Sequence, residues 1–138
     1  MGLYLLAQPL SGILPKFDAY VSQPNVSFEW NSMPGALEYM VVLASDEAFT
    51  QDLVQSPPQT GTSWTSDPLN FGTLYWKVIG NDGIQSMESG IEKFTYYLPS
   101  EDPNLVLWLR ADQGITLDVS NKVQSWQDQS SNAFVVQQ

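Results

Sequence analysis

The chain is 138 residues long and carries a formal net charge of −10, from 5 Lys+Arg against 15 Asp+Glu, with no Cys and no His. The missing residue types exclude disulfides, thiolate chemistry, and the imidazole that usually serves as general base or transition-metal ligand; only hard, oxygen-ligated cations such as calcium stay open. Acidity without a basic stripe argues against a nucleic-acid partner, because phosphate contacts need Lys and Arg, and against adsorption to anionic membranes.

At this length the chain is one ordinary domain, or one small domain plus part of another. The first 17 residues, MGLYLLAQPLSGILPKF, hold an apolar patch at Leu3–Ala7. It has no basic flank, is too short for a signal peptide's core and far too short to span a bilayer. Met1-Gly2 opens a myristoylation pattern, but position 6 is Leu where Ser or Thr is expected. Residues 1–14, broken by Pro9 and Gly12, read as an N-terminal arm or edge strand. Lys16–Gln23, bracketed by Pro15 and Pro24, holds room for a short strand.

Val26 to Leu43 is the stretch around which the chain is organised. Val26, Phe28 and Trp30 alternate with polar residues, and Tyr39, Val41 and Leu43 do so again, as expected of strands with one face buried. With Pro34-Gly35 between them, the two are expected to be neighbouring strands joined by a tight turn. Ser45–Phe49 follows as a polar turn, with Phe49 expected to plug the end of the core. Leu53–Gln55 and Thr60–Thr65 read as short strands. Thr73–Gly80 is a strong strand with Leu74, Trp76 and Val78 on one face, closed by the turn Asn81-Asp82-Gly83. Ile91–Leu98 is the last strand before an acidic, Pro-bounded linker at residues 99–103. About seven short, turn-punctuated strands predict an all-β, immunoglobulin-like sandwich over residues 15–98. Residues 104–138 supply two further strand-like runs, LVLWLRAD and KVQSWQD. They are too few to close a core of their own, so they either dock on the sandwich or begin a truncated second module.

No arrangement of catalytic side chains stands out. A Ser-Lys dyad has no supporting motif, and Glu29 and Glu38, placed to meet on an exposed strand face, read as solvated acids with no cleft around them. The chain is therefore expected to be non-catalytic and to need no cofactor. Asp128, in the WQDQS turn of the tail, fits as a bond acceptor for turn amides. Aromatic residues make a sugar-stacking platform conceivable. Trp30 and Trp76 are expected in the core, and Trp64 is the least explained tryptophan and the one weak ligand-binding candidate.

The ordered runs FEWNSMPGALEYMVVLASDEAF, GTSW, LYWKVIGNDG and EKFTYYL resemble the bacterial branch of fibronectin type III domains over about residues 8–98. The matching positions are Trp30, Pro34-Gly35-Ala36, Tyr39, Ser45-Asp46, Phe49 and Tyr75-Trp76-Lys77-Val78. The usual tyrosine of the corner before that last strand is displaced, with Leu74 in the inward place. The tail, LVLWLRADQGIT and VQSWQDQSSNA, resembles the opening of a laminin-G or concanavalin-A-like jelly roll, with Ser131 where that family usually has Gly. This resemblance implies core positions for Trp108 and Trp126 and makes calcium possible, with Asp112, Asp118 and Asp128 as the candidates. These resemblances imply a structural or interaction module of a multidomain extracellular or surface-displayed protein, meeting a protein or glycan surface in adhesion or glycan recognition. A bacteriophage decoration or fibre protein, with the N-terminal arm as an assembly contact, and an accessory module of a carbohydrate-active enzyme are the other two readings they leave.

Overall fold

The computed structural model describes residues 9–137. The apolar patch Leu3–Ala7 lies outside the described residues. The chain divides into two compact units that meet between Tyr97 and Leu98, and each is treated by itself.

The first unit is built from β1 (Gly12–Leu14), β2 (Ala19–Val21), β3 (Ser27–Trp30), β4 (Glu38–Ala44), β5 (Val54–Gln55), β6 (Ser63–Thr65), β7 (Gly72–Asn81), β8 (Ser86–Glu88) and β9 (Glu92–Tyr96). One sheet has the order β1-β3-β6. The other runs β2-β9-β7-β4-β5, with β8 pairing on β7. The chain crosses between the sheets at each step from β1 to β4 and again from β5 to β6 and from β6 to β7, which makes this an immunoglobulin-like sandwich of the fibronectin type III kind. All pairings are antiparallel except β2 with β9.

The expectation that β3 and β4 pair as a hairpin is corrected. β3 pairs with β1 and β6, whereas β4 pairs with β7 and β5. The two strands belong to opposite sheets. Their alternation is the same in either arrangement, because a strand facing its neighbour across a core shows the period of a strand lying beside it. The turn at Pro34-Gly35 is followed by Leu37, whose N–H donates to Asn81 O at 2.7 Å, so the chain leaves β3 and docks directly on β7. Glu29 and Glu38 accordingly lie on different sheets.

Inward residues from both sheets form one core. Phe28, Val41, Trp76 and Val78 are fully buried, with Val26, Leu43, Phe94 and Tyr96 nearly so. Phe28 is its centre: the rings of Trp64, Trp76 and Phe94 lie 5.4, 5.1 and 5.9 Å away, the first stacked and the others edge-on. Each such side chain contributes roughly 1.5–3 kcal/mol by leaving water. Leu74 is buried and Tyr75 half-buried, as parity requires. Gly12 lets β1 lie over the ring of Trp76, where a Cβ would come within 2.5 Å of the indole. Phe49 does not plug the core. Asp46 accepts bonds from Thr50 N–H, Thr50 Oγ1 and Gln51 N–H, all at 2.8 Å, and tightens a loop in which Phe49 takes a left-handed φ of 55°. That turns the ring outward, 4.8 Å from Lys77 Nζ.

Three buried serines end strands in the same way. Ser56, Ser66 and Ser89 each donate their N–H to a valine carbonyl and accept that valine's N–H on Oγ: Val41, Val26 and Val78 respectively. Each serine substitutes its side chain for the backbone oxygen that a regular ladder would offer, so the strand can turn away without orphaning a buried donor. Around Ser89 the register of β7 slips by one residue between its pairings with β9 and β8. The short strand β8, all exposed, carries no alternation and is absent from the sequence expectation.

The second unit holds a single 3₁₀ turn at Pro99–Glu101 and the antiparallel sheet β10 (Ile115–Leu117), β11 (Val123–Gln127) and β12 (Val135–Gln137), in that order. The run LVLWLRAD is not a strand: only Arg110 makes a bridge, to Gln113. The run is held instead by side chains: Asn132 Nδ2 donates to the carbonyls of Leu105 and Val106 at 3.1 and 3.2 Å, Trp126 Nε1 to that of Arg110 at 2.8 Å, and Asp128 grips its centre. Asp128 Oδ1 accepts the N–H of Trp108 at 2.7 Å and of Ser130 at 2.9 Å, and Oδ2 accepts Ser130 Oγ at 2.6 Å and Phe134 N–H at 3.4 Å.

Candidate interaction surface

The β3–β4 connection and the β7–β8 turn come together at one end of the sandwich. Tyr39 Oη accepts Met33 N–H at 2.7 Å, which ties the β3–β4 connection to the head of β4. In the β7–β8 turn, Asn81 Oδ1 accepts Gly83 N–H at 2.7 Å, and Asp82 Oδ1 accepts the N–H of Ile84 and of Gln85, both at 2.8 Å. Those two amide bonds hold the Asp82 carboxyl below its ordinary range. Gly83 sits at φ 87°, a conformation that favours glycine. Leu37 Cδ1 lies so close that a Cβ on Gly83 would meet it at 3.0 Å.

This frame presents Ile84 at 95% exposure beside Leu37 at 64%. Single exposed apolar residues are ordinary. Here Ile84 sits on a turn fixed by three side-chain bonds, so its burial against a partner would cost little ordering entropy. The sequence offers a weak sign of it: an isolated Ile directly after the Asn-Asp-Gly turn, where polar residues are the rule.

The residues singled out in the sequence lie elsewhere. Trp64 is half-buried on β6, stacked on Phe28 with an interplanar angle of 28°. Glu29 and Glu38 are exposed. In the second unit the three aspartates are engaged separately. Asp112 pairs with Arg110 at 2.7 Å, and that guanidinium keeps its carboxyl below the ordinary range. Asp118 accepts the N–H of Ser120 and of Lys122. Asp128 is 2% exposed. Burial works against its charge, but the bonds from Ser130, Trp108 and Phe134 outweigh that and bring its pKa down from 3.8 to about 2. Among the described residues no group of three acidic side chains is placed to hold a metal ion, and no helix is long and apolar enough to cross a membrane.

Cations on the outer face of the larger sheet are clamped. Lys77 meets Glu88 at 2.7 Å besides Phe49, and Lys93 meets Asp18 at 3.0 Å with its Nζ 5.0 Å from the ring of Phe17. Each ammonium thus has one carboxylate and one aromatic face.

No protein-family model matches the chain, and no curated protein matches it. Among solved structures the chain is similar to an Fn3-like protein from Clostridium thermocellum, with 18% identity over 64% of this chain and 88% of that one and a TM-score of 0.47.

Proposed function

We propose that the chain is a non-catalytic structural and interaction module of a multidomain extracellular or surface-displayed protein. The sandwich acts as a stiff spacer, and residues 104–138 belong to a jelly-roll-like recognition module. The observation that carries this reading is the locked turn that holds Ile84 out of the sandwich. Such a turn serves an anchor residue that a partner's pocket encloses. For the glycan form of the reading the platform is Trp64, through the part of its ring that Phe28 leaves uncovered.

The test is binding of the intact chain to immobilised cell-surface extracts and to a glycan array, alongside the double substitution Leu37→Ser with Ile84→Ser. Retention that falls at least about tenfold in the double variant, at unchanged thermal midpoint, supports docking through the turn. Equal retention of the two proteins, or none by either, rejects it. Trp64→Phe keeps the stack on Phe28, and a loss of array binding in that variant alone moves the contact to Trp64.

A further inference from the structure

A second site lies away from that turn, along one side of the sandwich where β1 stops pairing with β3. After Leu14 the chain crosses to the other sheet and becomes β2. The crossover opens a groove of about 380 Å³ between the edge of β2 and the first residues of β3. Its apolar lining includes Leu14, Ala19 and Val21, while Val26 is almost wholly buried.

Among the described residues both walls are strand edges with unused backbone. Just ahead of β3, Val26 bonds Ser66, and within β3 Trp30 N–H bonds Thr62 O, both on the β6 side. By alternation the N–H and C=O of Asn25 and Ser27 point the other way, into the stretch that β1 has left. On β2, Val21 O accepts Tyr97 N–H on the β9 side, which turns the backbone groups of Tyr20 outward. This edge has none of the usual guards: β2 reads Ala-Tyr-Val, with no charge, proline or bulge. Lys16 stands among the lining residues, which include no carboxylate, and it makes no ion pair among the described residues. In a chain with net charge −10, this groove is a place where an acidic group is met by a cation.

We propose that the groove takes an extended peptide by strand addition to β3. The peptide continues the pairing that β1 gives up. It exchanges backbone bonds with Asn25 and Ser27, lays an aliphatic side chain on Leu14 and Val21, and brings a carboxylate to Lys16. The free edge is three residues long, Asn25 to Ser27, so the site reads a stretch of about three residues.

The probe is a synthetic, end-capped pentapeptide of alternating threonine and valine that ends in aspartate, titrated into the isotopically labelled full chain. Expected are amide shifts confined to the groove and slower hydrogen exchange, by about tenfold or more, at Ser27. The same peptide methylated on its valine nitrogens should give neither. Lys16→Glu, an exposed position, should weaken binding about two- to fivefold. No shifts at millimolar peptide overturn the proposal, as does equal binding of the methylated peptide. Shifts at the same residues with oligogalacturonate but not with the peptide would overturn it in favour of an acidic glycan. None of these readouts involves Ile84 or Leu37, so the proposal and the docking turn stand or fall separately.

Discussion

The two units are stabilised by opposite means. In the sandwich the largest of the buried side chains are Trp76, Tyr96, Phe28 and Phe94. From Leu98 onward the side chains classed as buried, among the described residues, are Asp128 and Ser130, while Val106, Leu107, Leu117, Val119, Phe134, Val135 and Val136 are exposed. One unit is organised by apolar area removed from water, and the other by a carboxylate that gathers three amides and a hydroxyl. Apolar packing spreads its contribution over many residues and is indifferent to pH. A carboxylate hub concentrates it in one group and ties it to that group's charge.

The contrast is broken most forcefully at Trp76. Trp76→Ala removes the largest fully buried ring and should destabilise the sandwich by about 3–5 kcal/mol. Denaturant unfolding followed by sandwich amides checks this, and a loss below about 1 kcal/mol would mean that burial of this ring does not hold the sandwich together. Next comes Asp128→Ala, which should abolish the exchange protection of the Trp108 and Ser130 amides. Retained protection would show that the hub is dispensable.

The same group yields a pH dependence. The folded pKa of Asp128 is about 2, below its ordinary 3.8. The charged form is therefore the one that folding favours. Its contribution is complete above about pH 4 and disappears as the pH falls through about 2. Acid titration should loosen the Trp108 and Ser130 amides over that interval, and loosening above pH 5 would implicate another group. A smaller effect is expected at the strand-ending serines. Ser89→Ala leaves the buried N–H of Val78 with no side-chain acceptor and should cost about 1–3 kcal/mol. Ser89→Thr, which keeps the oxygen, should recover most of it. Smallest is Lys77→Gln, which removes the Glu88 and Phe49 contacts. It should cost about 1 kcal/mol or less, and less still in high salt.

What was legible in the sequence follows the same division. Alternation in Phe28–Trp30, Tyr39–Leu43 and Leu74–Val78 correctly identified the inward faces, because a buried sheet face imposes period two wherever it occurs. Alternation does not say which strand lies alongside, and so β3 and β4 were paired in expectation although they face each other across the core. Phe49 was placed inward by size. A left-handed residue in a loop tied by Asp46 sent it outward instead, and nothing in a hydrophobicity pattern registers that bond. In the tail, LVLWLRAD has strand composition, yet its segment is held by Asp128, twenty residues on from Trp108. The turn that exposes Ile84 was recognised as a turn, but its role as a presenting frame needs the positions of the Asn81 and Asp82 oxygens.

Two groups in the core carry an optical consequence. The indole N–H groups of Trp30 and Trp76 are buried with no acceptor among the described residues, whereas Trp126 donates to Arg110 O at 2.8 Å and is half-buried. An indole without a bonded or hydrated N–H has little around it that can reorient after excitation, so its emission stays at the blue end of the tryptophan range. One that is bonded and near water relaxes and emits further to the red. The sandwich thus carries two blue emitters, Trp30 and Trp76, beside the half-buried Trp64, and the second unit carries the half-buried Trp108 and Trp126; with Trp64→Phe in place, a single fluorescence melt read at two wavelengths will time the opening of each unit.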